Sequence, residues 1–143
     1  MKLKPWGNLS TSLVVSGRGV DSAALFSALQ NATGEELSLP EGMGAYSGPG
    51  WATLTVDERH SKTADEQAAG LVGFLGRRES ALDALKKAGI SAKVDLSGVA
   101  ESGSRLHISP NNLARLAELG VPLTFTTVTE SGEDEEDPLS WLD

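Results

Sequence analysis

The stretch ISAKVDLSGVAESGSRLHISPNNLARLAELGVPLTFTTV, Ile90–Val128, decides the fold. Its first seven residues alternate, with Ile90, Ala92, Val94 and Leu96 on one side and Ser91, Lys93 and Asp95 on the other. Period-two alternation of this kind marks a strand with one buried and one wet face. Leu106 and Ile108 alternate with Arg105 and His107 in RLHIS, which predicts a second strand, joined to the first by a Gly-containing link as a hairpin. Ser109 is a natural N-cap, and Pro110 suits the first helical position, where a missing N–H costs nothing. Leu113, Leu116 and Ala117 are then expected to face inward. Gly120 ends the helix, and Val121–Val128 reads as a final strand.

Toward the N-terminus the same signals recur. Leu9–Ser16 places Leu9, Leu13 and Val15 against Ser10, Ser12 and Ser16, a strand. Asp21 caps a helix over SAALFSALQ, with Leu25, Phe26 and Leu29 as its apolar stripe and Gly34 just past its end. The segment 31–50 holds five glycines and two prolines in twenty residues, keeps no period, and is expected to be a long loop. Trp51–Glu58 resumes alternation as a strand. One helix is expected from Thr63 to Ala88, opened by the Thr63/Glu66 capping-box spacing and stopped by Gly89. Gly70, Gly73 and Gly76 recur every three residues along it. They either allow close packing on a neighbour or mark a bend near Gly76.

The predicted order is β-α-β-α-β-β-α-β. Strands with one polar face, mixed with helices, give an α+β fold with a mainly antiparallel sheet and helices on one face, ferredoxin-like with an added helix. At 143 residues a single domain is the economical division, residues 1–129, followed by an acidic tail, residues 130–143.

That tail carries seven carboxylates and no Lys or Arg. The whole chain has net charge −8, yet the rest of it holds 13 acidic against 12 basic residues. The acidity is therefore a property of one appendage. Lys and Arg are scattered rather than striped, and aromatic residues are few, which argues against nucleic-acid binding. There is no cysteine, so disulfides and thiolate metal sites are excluded. No stretch has the roughly 20 apolar residues that span a bilayer, and the N-terminus lacks a signal-type apolar core. A cytoplasmic protein with no membrane partner is expected.

Chemistry-bearing groups are sparse. Asp57, Glu58, Arg59 and His60 cluster after the second strand, but no HExxH or second histidine at ligand spacing accompanies them, so a charged loop is the expected account. GRGVDS and GMGAYSGPG match neither phosphate-loop nor dinucleotide fingerprints. No serine elbow is present. The chain reads as non-enzymatic, with no catalytic residue, metal or cofactor. Ser10, Ser12, Thr53, Thr55, Lys93, Asp95, Arg105, His107, Thr124 and Thr126 are expected to share one uncovered sheet face. Lys93, Asp95, Arg105 and His107 on that face, with Glu133, Asp134, Glu135, Glu136, Asp137 and Trp141 in the tail, form the expected partner-binding set. The acidic run would steer a basic protein toward it. An uncovered face would equally serve a homodimer. The alternative is a small-molecule-binding regulatory module, with Tyr46 and Trp51 over a pocket between sheet and helices beneath the 31–50 loop.

The order of motifs SLVVSGRGVDSAALFSAL, WATLTV, LVGFLGRRESALDALKKAG and SAKVDLSGV…SRLHISPNNLARLAELGVPLTFTT resembles the bacterial domain of unknown function 4279 family. The likeness covers roughly 9–128, and its closing portion is the more diagnostic. LQNATGEELSLP, after the first helix, is longer and looser than the family's pattern there. The resemblance implies no catalytic residues. It implies a small cytoplasmic protein, of a kind that includes cognate immunity proteins encoded beside secreted toxins. The function expected from residues and resemblance together is a non-enzymatic binding or inhibitory protein, an immunity protein that occludes a toxin's active surface.

Overall fold

A computed structural model describes residues 6–128. Its elements in chain order are β1 (Gly7–Ser16), α1 (Ser22–Thr33), β2 (Met43–Gly48), β3 (Trp51–Val56), α2 (Ala64–Gly76), α3 (Glu79–Lys87), β4 (Ser91–Val99), α4 (Pro110–Glu118) and β5 (Leu123–Val128). The strands form one sheet in the order β2-β3-β1-β4-β5, antiparallel throughout except for the parallel β4–β5 pair. The molecule is thus α+β, with a mostly antiparallel sheet and its helices against one face. It is consistent with a ferredoxin-like plan carrying an added helix.

The alternation that marks the strands also sorts their side chains. Leu9, Leu13 and Val15 of β1, Ala52, Leu54 and Val56 of β3, and Val94 and Leu96 of β4 are all buried on one face. Helices supply the other side of the core through Leu25, Leu29, Leu71, Leu75, Leu82 and Leu85. Burying an aliphatic side chain of this size contributes about 1.5–3 kcal/mol. Thr11 also lies on the covered face, between Leu9 and Leu13, and is fully buried. Its hydroxyl donates to Gln67 Oε1 at 3.0 Å, while Gln67 Nε2 donates to the carbonyls of Leu9 and Ser61, both at 2.8 Å. Every polar atom of this buried pair is therefore used, which ties α2 to the start of β1.

Several helix ends follow the sequence signals. Asp21 accepts the Ala24 N–H, Thr63 the Glu66 N–H and Ser109 the Asn112 N–H. Gly34 closes α1 in the left-handed conformation, φ 73°.

Four features differ from expectation. The 31–50 region is not wholly loop: it finishes α1 and contributes β2, paired to β3 through a two-residue Pro49-Gly50 turn. Gly50 there has φ 78°, a conformation that glycine adopts without strain. The helix expected over 63–88 is two helices, broken after Gly76. Arg78 Nη1 donates to the Phe74 carbonyl at 2.9 Å, and its guanidinium lies 4.0 Å from the Phe74 ring centroid. A cation at the carbonyl end of α2 complements the helix dipole there. Gly70 meanwhile lies against the His60 ring, so close packing and a bend both occur along this stretch.

Third, Arg105–Ser109 is not a strand. Only Arg105 makes an isolated bridge, and α4 carries the chain across to β5, which lies parallel to β4. With β1 on one side of β4 and β5 on the other, no edge of β4 is left for a hairpin partner. The observed order is therefore β-α-β-β-α-α-β-α-β. Fourth, the inward face of α4 is Asn112, Leu116 and the following Leu119, whereas Leu113 and Ala117 are exposed. Asp65 sets this rotation. Its carboxylate accepts the Ser109 N–H at 2.7 Å and Asn112 Nδ2 at 2.9 Å, docking the start of α4 on the start of α2.

Candidate functional site

The face of the sheet turned away from the helices is built in cross-strand rows. One row runs Gly48, Trp51, Ser16, Ser91; the next Tyr46, Thr53, Val14, Lys93; the next Gly44, Thr55, Ser12, Asp95, Thr124. Ser10, Ser97 and Thr126 continue it. Directly paired residues share a face, so these positions are fixed by register rather than by rotamer. None of them is buried in the core.

The hydroxyls on this face bond to one another. Ser12 Oγ and Thr55 Oγ1 are 2.8 Å apart, and Thr55 donates on to Thr53 at 3.4 Å. Asp95 Oδ1 accepts from Thr124 at 2.6 Å and from Thr126 at 2.9 Å, bracing the β4–β5 half. Lys93 stands two residues along the same strand and is exposed. These bonds hold the polar face in one arrangement before anything binds, which lowers the ordering cost of an encounter.

Two aromatic side chains occupy the other end. Tyr46 is 52% exposed and Trp51 41% exposed. A methyl group at Gly48 would stand only 2.5 Å from the Trp51 indole nitrogen, so the ring lies directly over that glycine. A methyl at Gly44 would stand 3.1 Å from the Tyr46 hydroxyl, so the phenol ring leans over Gly44. Aromatic rings laid across strand glycines restore the packing that glycine lacks. The sequence led to the expectation of these two residues over a pocket between sheet and helices. They stand instead on the open face, at its β2–β3 edge.

The DERH segment is a turn. Asp57 accepts the Arg59 backbone N–H at 2.9 Å and takes a two-pronged grip from its guanidinium, Nε at 3.0 Å and Nη2 at 2.9 Å. This side-chain bond is the main reason the Asp57 carboxyl is held below its ordinary range. His60 packs on Gly70 from one side, and its backbone closes on Gly42 from the other. Among the described residues, no group of three or more His, Cys, Asp and Glu side chains is placed to hold a metal ion.

Arg105 and His107 do not join the open face, contrary to expectation. They line a cavity of about 160 Å³ with Trp6, Leu9, Thr63, Ala64, Asp65 and Leu106, beside the N-terminus of α2. The cause is the missing hairpin: without a strand at 105–109, these side chains follow the connection toward α4. Asp65 is held below its ordinary range first by the Ser109 N–H, then by Asn112, with His107 adding a smaller charge effect. Lys93 and Asp95 thus share the open face, while Arg105 and His107 are elsewhere. Glu133, Asp134, Glu135, Glu136, Asp137 and Trp141 lie outside the described residues. No helix among the described residues is long and apolar enough to cross a membrane. No protein-family model matches the chain, and comparisons with curated proteins and with solved structures return no match either.

Proposed function

We propose that this is a non-enzymatic binding or inhibitory protein, cytoplasmic, that engages another protein through the open face of its sheet. The form that best fits the charge is an immunity protein covering the basic active surface of a bacterial toxin. Kinship with the domain of unknown function 4279 family belongs to the same proposal. The observation that carries it is the internally bonded polar face itself. Ser12–Thr55 and Thr124–Asp95–Thr126 are pre-set on four of the five strands, with all the helices of residues 6–128 on the other side. A flat, rigid surface can occlude a cleft with little ordering cost. Seven carboxylates at residues 130–143 would accelerate the approach of a basic partner, an effect weakened by salt.

The test is co-purification from the native host with the full chain, a chain ending at Thr129, and a Thr55→Arg variant, each washed at low and high salt. The expected result is a basic partner held by the full chain, weakened by truncation or by salt, and lost with Thr55→Arg. Equal recovery of the same partner by all three proteins would overturn the proposal.

A further inference from the structure

The open face has two unlike ends, and the aromatic end supports a site of its own. Strand β2 presents Gly44, Tyr46 and Gly48 on that face, opposite Thr55, Thr53 and Trp51 of β3. Each ring therefore has one side closed by glycine backbone and the other open to solvent. Tyr46 and Trp51 are diagonal neighbours, their backbone positions roughly 7–8 Å apart. One short oligomer can span both. Beside them stand mostly hydroxyls: Ser16 and Ser91 in the Trp51 row, Thr53 next to Tyr46, then Thr55 and Ser12, with Lys93 at the far end of the Tyr46 row. At this edge Arg59 pairs with Asp57 at 2.9 Å and also lies close enough to Tyr46 to interact with its hydroxyl, so the charge beside the phenol ring is a balanced one.

We propose that Tyr46 and Trp51 form a stacking platform for a neutral, linear oligosaccharide of β-linked pyranose rings. Such a ring with equatorial hydroxyls presents flat C–H faces and a polar rim. The faces match exposed aromatic surfaces, and the rim matches a border of Ser and Thr hydroxyls. A single-stranded nucleic acid also stacks on aromatic rings, but its phosphates need a basic groove. Here the charges at the edge are paired, and Lys and Arg are scattered along the chain rather than gathered in a stripe. A proline-rich peptide needs an aromatic-lined groove, whereas these rings lie flat on a sheet. The site borders the protein-binding part of the face at Thr55 and Ser12, but its centre, Tyr46 and Trp51, does not depend on a protein partner.

The experiment titrates the full chain with cellohexaose and, separately, chitohexaose, following backbone and indole N–H resonances by NMR. Oligo(dT) and decaproline are the control probes. The expected result is saturable binding of at least one hexasaccharide, with shifts centred on Tyr46, Trp51 and their glycines. Trp51→Ala should weaken it at least about tenfold and Trp51→Phe by less, since a ring remains. The resonance map needs no variant, so a substitution that fails to fold leaves the test intact. Absence of saccharide binding in the millimolar range, shifts centred elsewhere, or preferential binding of oligo(dT) or decaproline at these rings would overturn the assignment.

Discussion

The two faces of one sheet are made from the same strands and obey opposite rules. On the covered face Leu13, Leu54 and Leu96 are fully buried, and Thr11 is tolerated only because Gln67 satisfies it. On the open face Ser12, Thr55 and Asp95, each one residue away along its strand, bond to side chains that water could also serve. A covered position is constrained by volume and by the cost of an orphaned polar atom. An open one is constrained by neither, so its pattern of hydroxyls, two aromatics and a few charges is available for recognition.

That contrast is broken most forcefully at Leu54. Leu54→Ala should cost about 2–5 kcal/mol in chemical denaturation, from lost burial plus the cavity left behind. Next comes Thr11→Val, which keeps the shape but removes the donor to Gln67 Oε1. A loss of about 1–3 kcal/mol is expected, the penalty of an unpaired buried acceptor. If Thr11→Val were as stable as the parent, the buried pair would not be what ties α2 to β1.

A pH titration sharpens the picture at the helix layer. The Asp65 carboxyl is depressed in the folded state by the Ser109 N–H and Asn112. A depressed carboxylate contributes stability that is present above its unfolded value, near 3.9, and lost as pH falls through the folded one. The stability gap between the parent and Asp65→Asn should therefore be full at pH 7 and close below about pH 4. A gap independent of pH would mean that Asp65 docks α4 without its charge. The smallest effects belong to the open face. Thr55→Ala and Ser12→Ala should each change stability by no more than about 0.5 kcal/mol. Gly48→Ala should likewise leave the fold standing, but it must push the Trp51 indole off the strand and change its fluorescence.

The sequence disclosed what depends on local pattern. Alternation revealed β1, β3 and the start of β4, and the caps at Asp21, Thr63 and Ser109 fell where their side chains bond. What it concealed depends on partners distant in the chain. β2 was hidden because MGAYSG puts Gly44 and Gly48 where strand formers would be expected, and those glycines make sense only under the rings of Tyr46 and Trp51. RLHIS has strand alternation, yet both edges of β4 are already taken by β1 and β5. Leu106 and Ile108 pack against the core without forming a ladder. The phase of α4 is not legible in its own apolar spacing, because Asn112 is drawn inward by Asp65, a bond spanning 47 residues. The open face is legible as a row of Ser and Thr, and alternation along β4 is enough to put Lys93 and Asp95 on it. Arg105 and His107 lie elsewhere, for the same reason that RLHIS is not a strand.

The central claim is that the open face, not the helix-covered one, is the working surface. The most direct measurement compares Thr55→Arg with the parent chain in two readouts, melting temperature and retention of the host partner at low salt. Melting within a few degrees of the parent, together with loss of the partner, is the predicted result. Unchanged melting with the partner retained would contradict the claim.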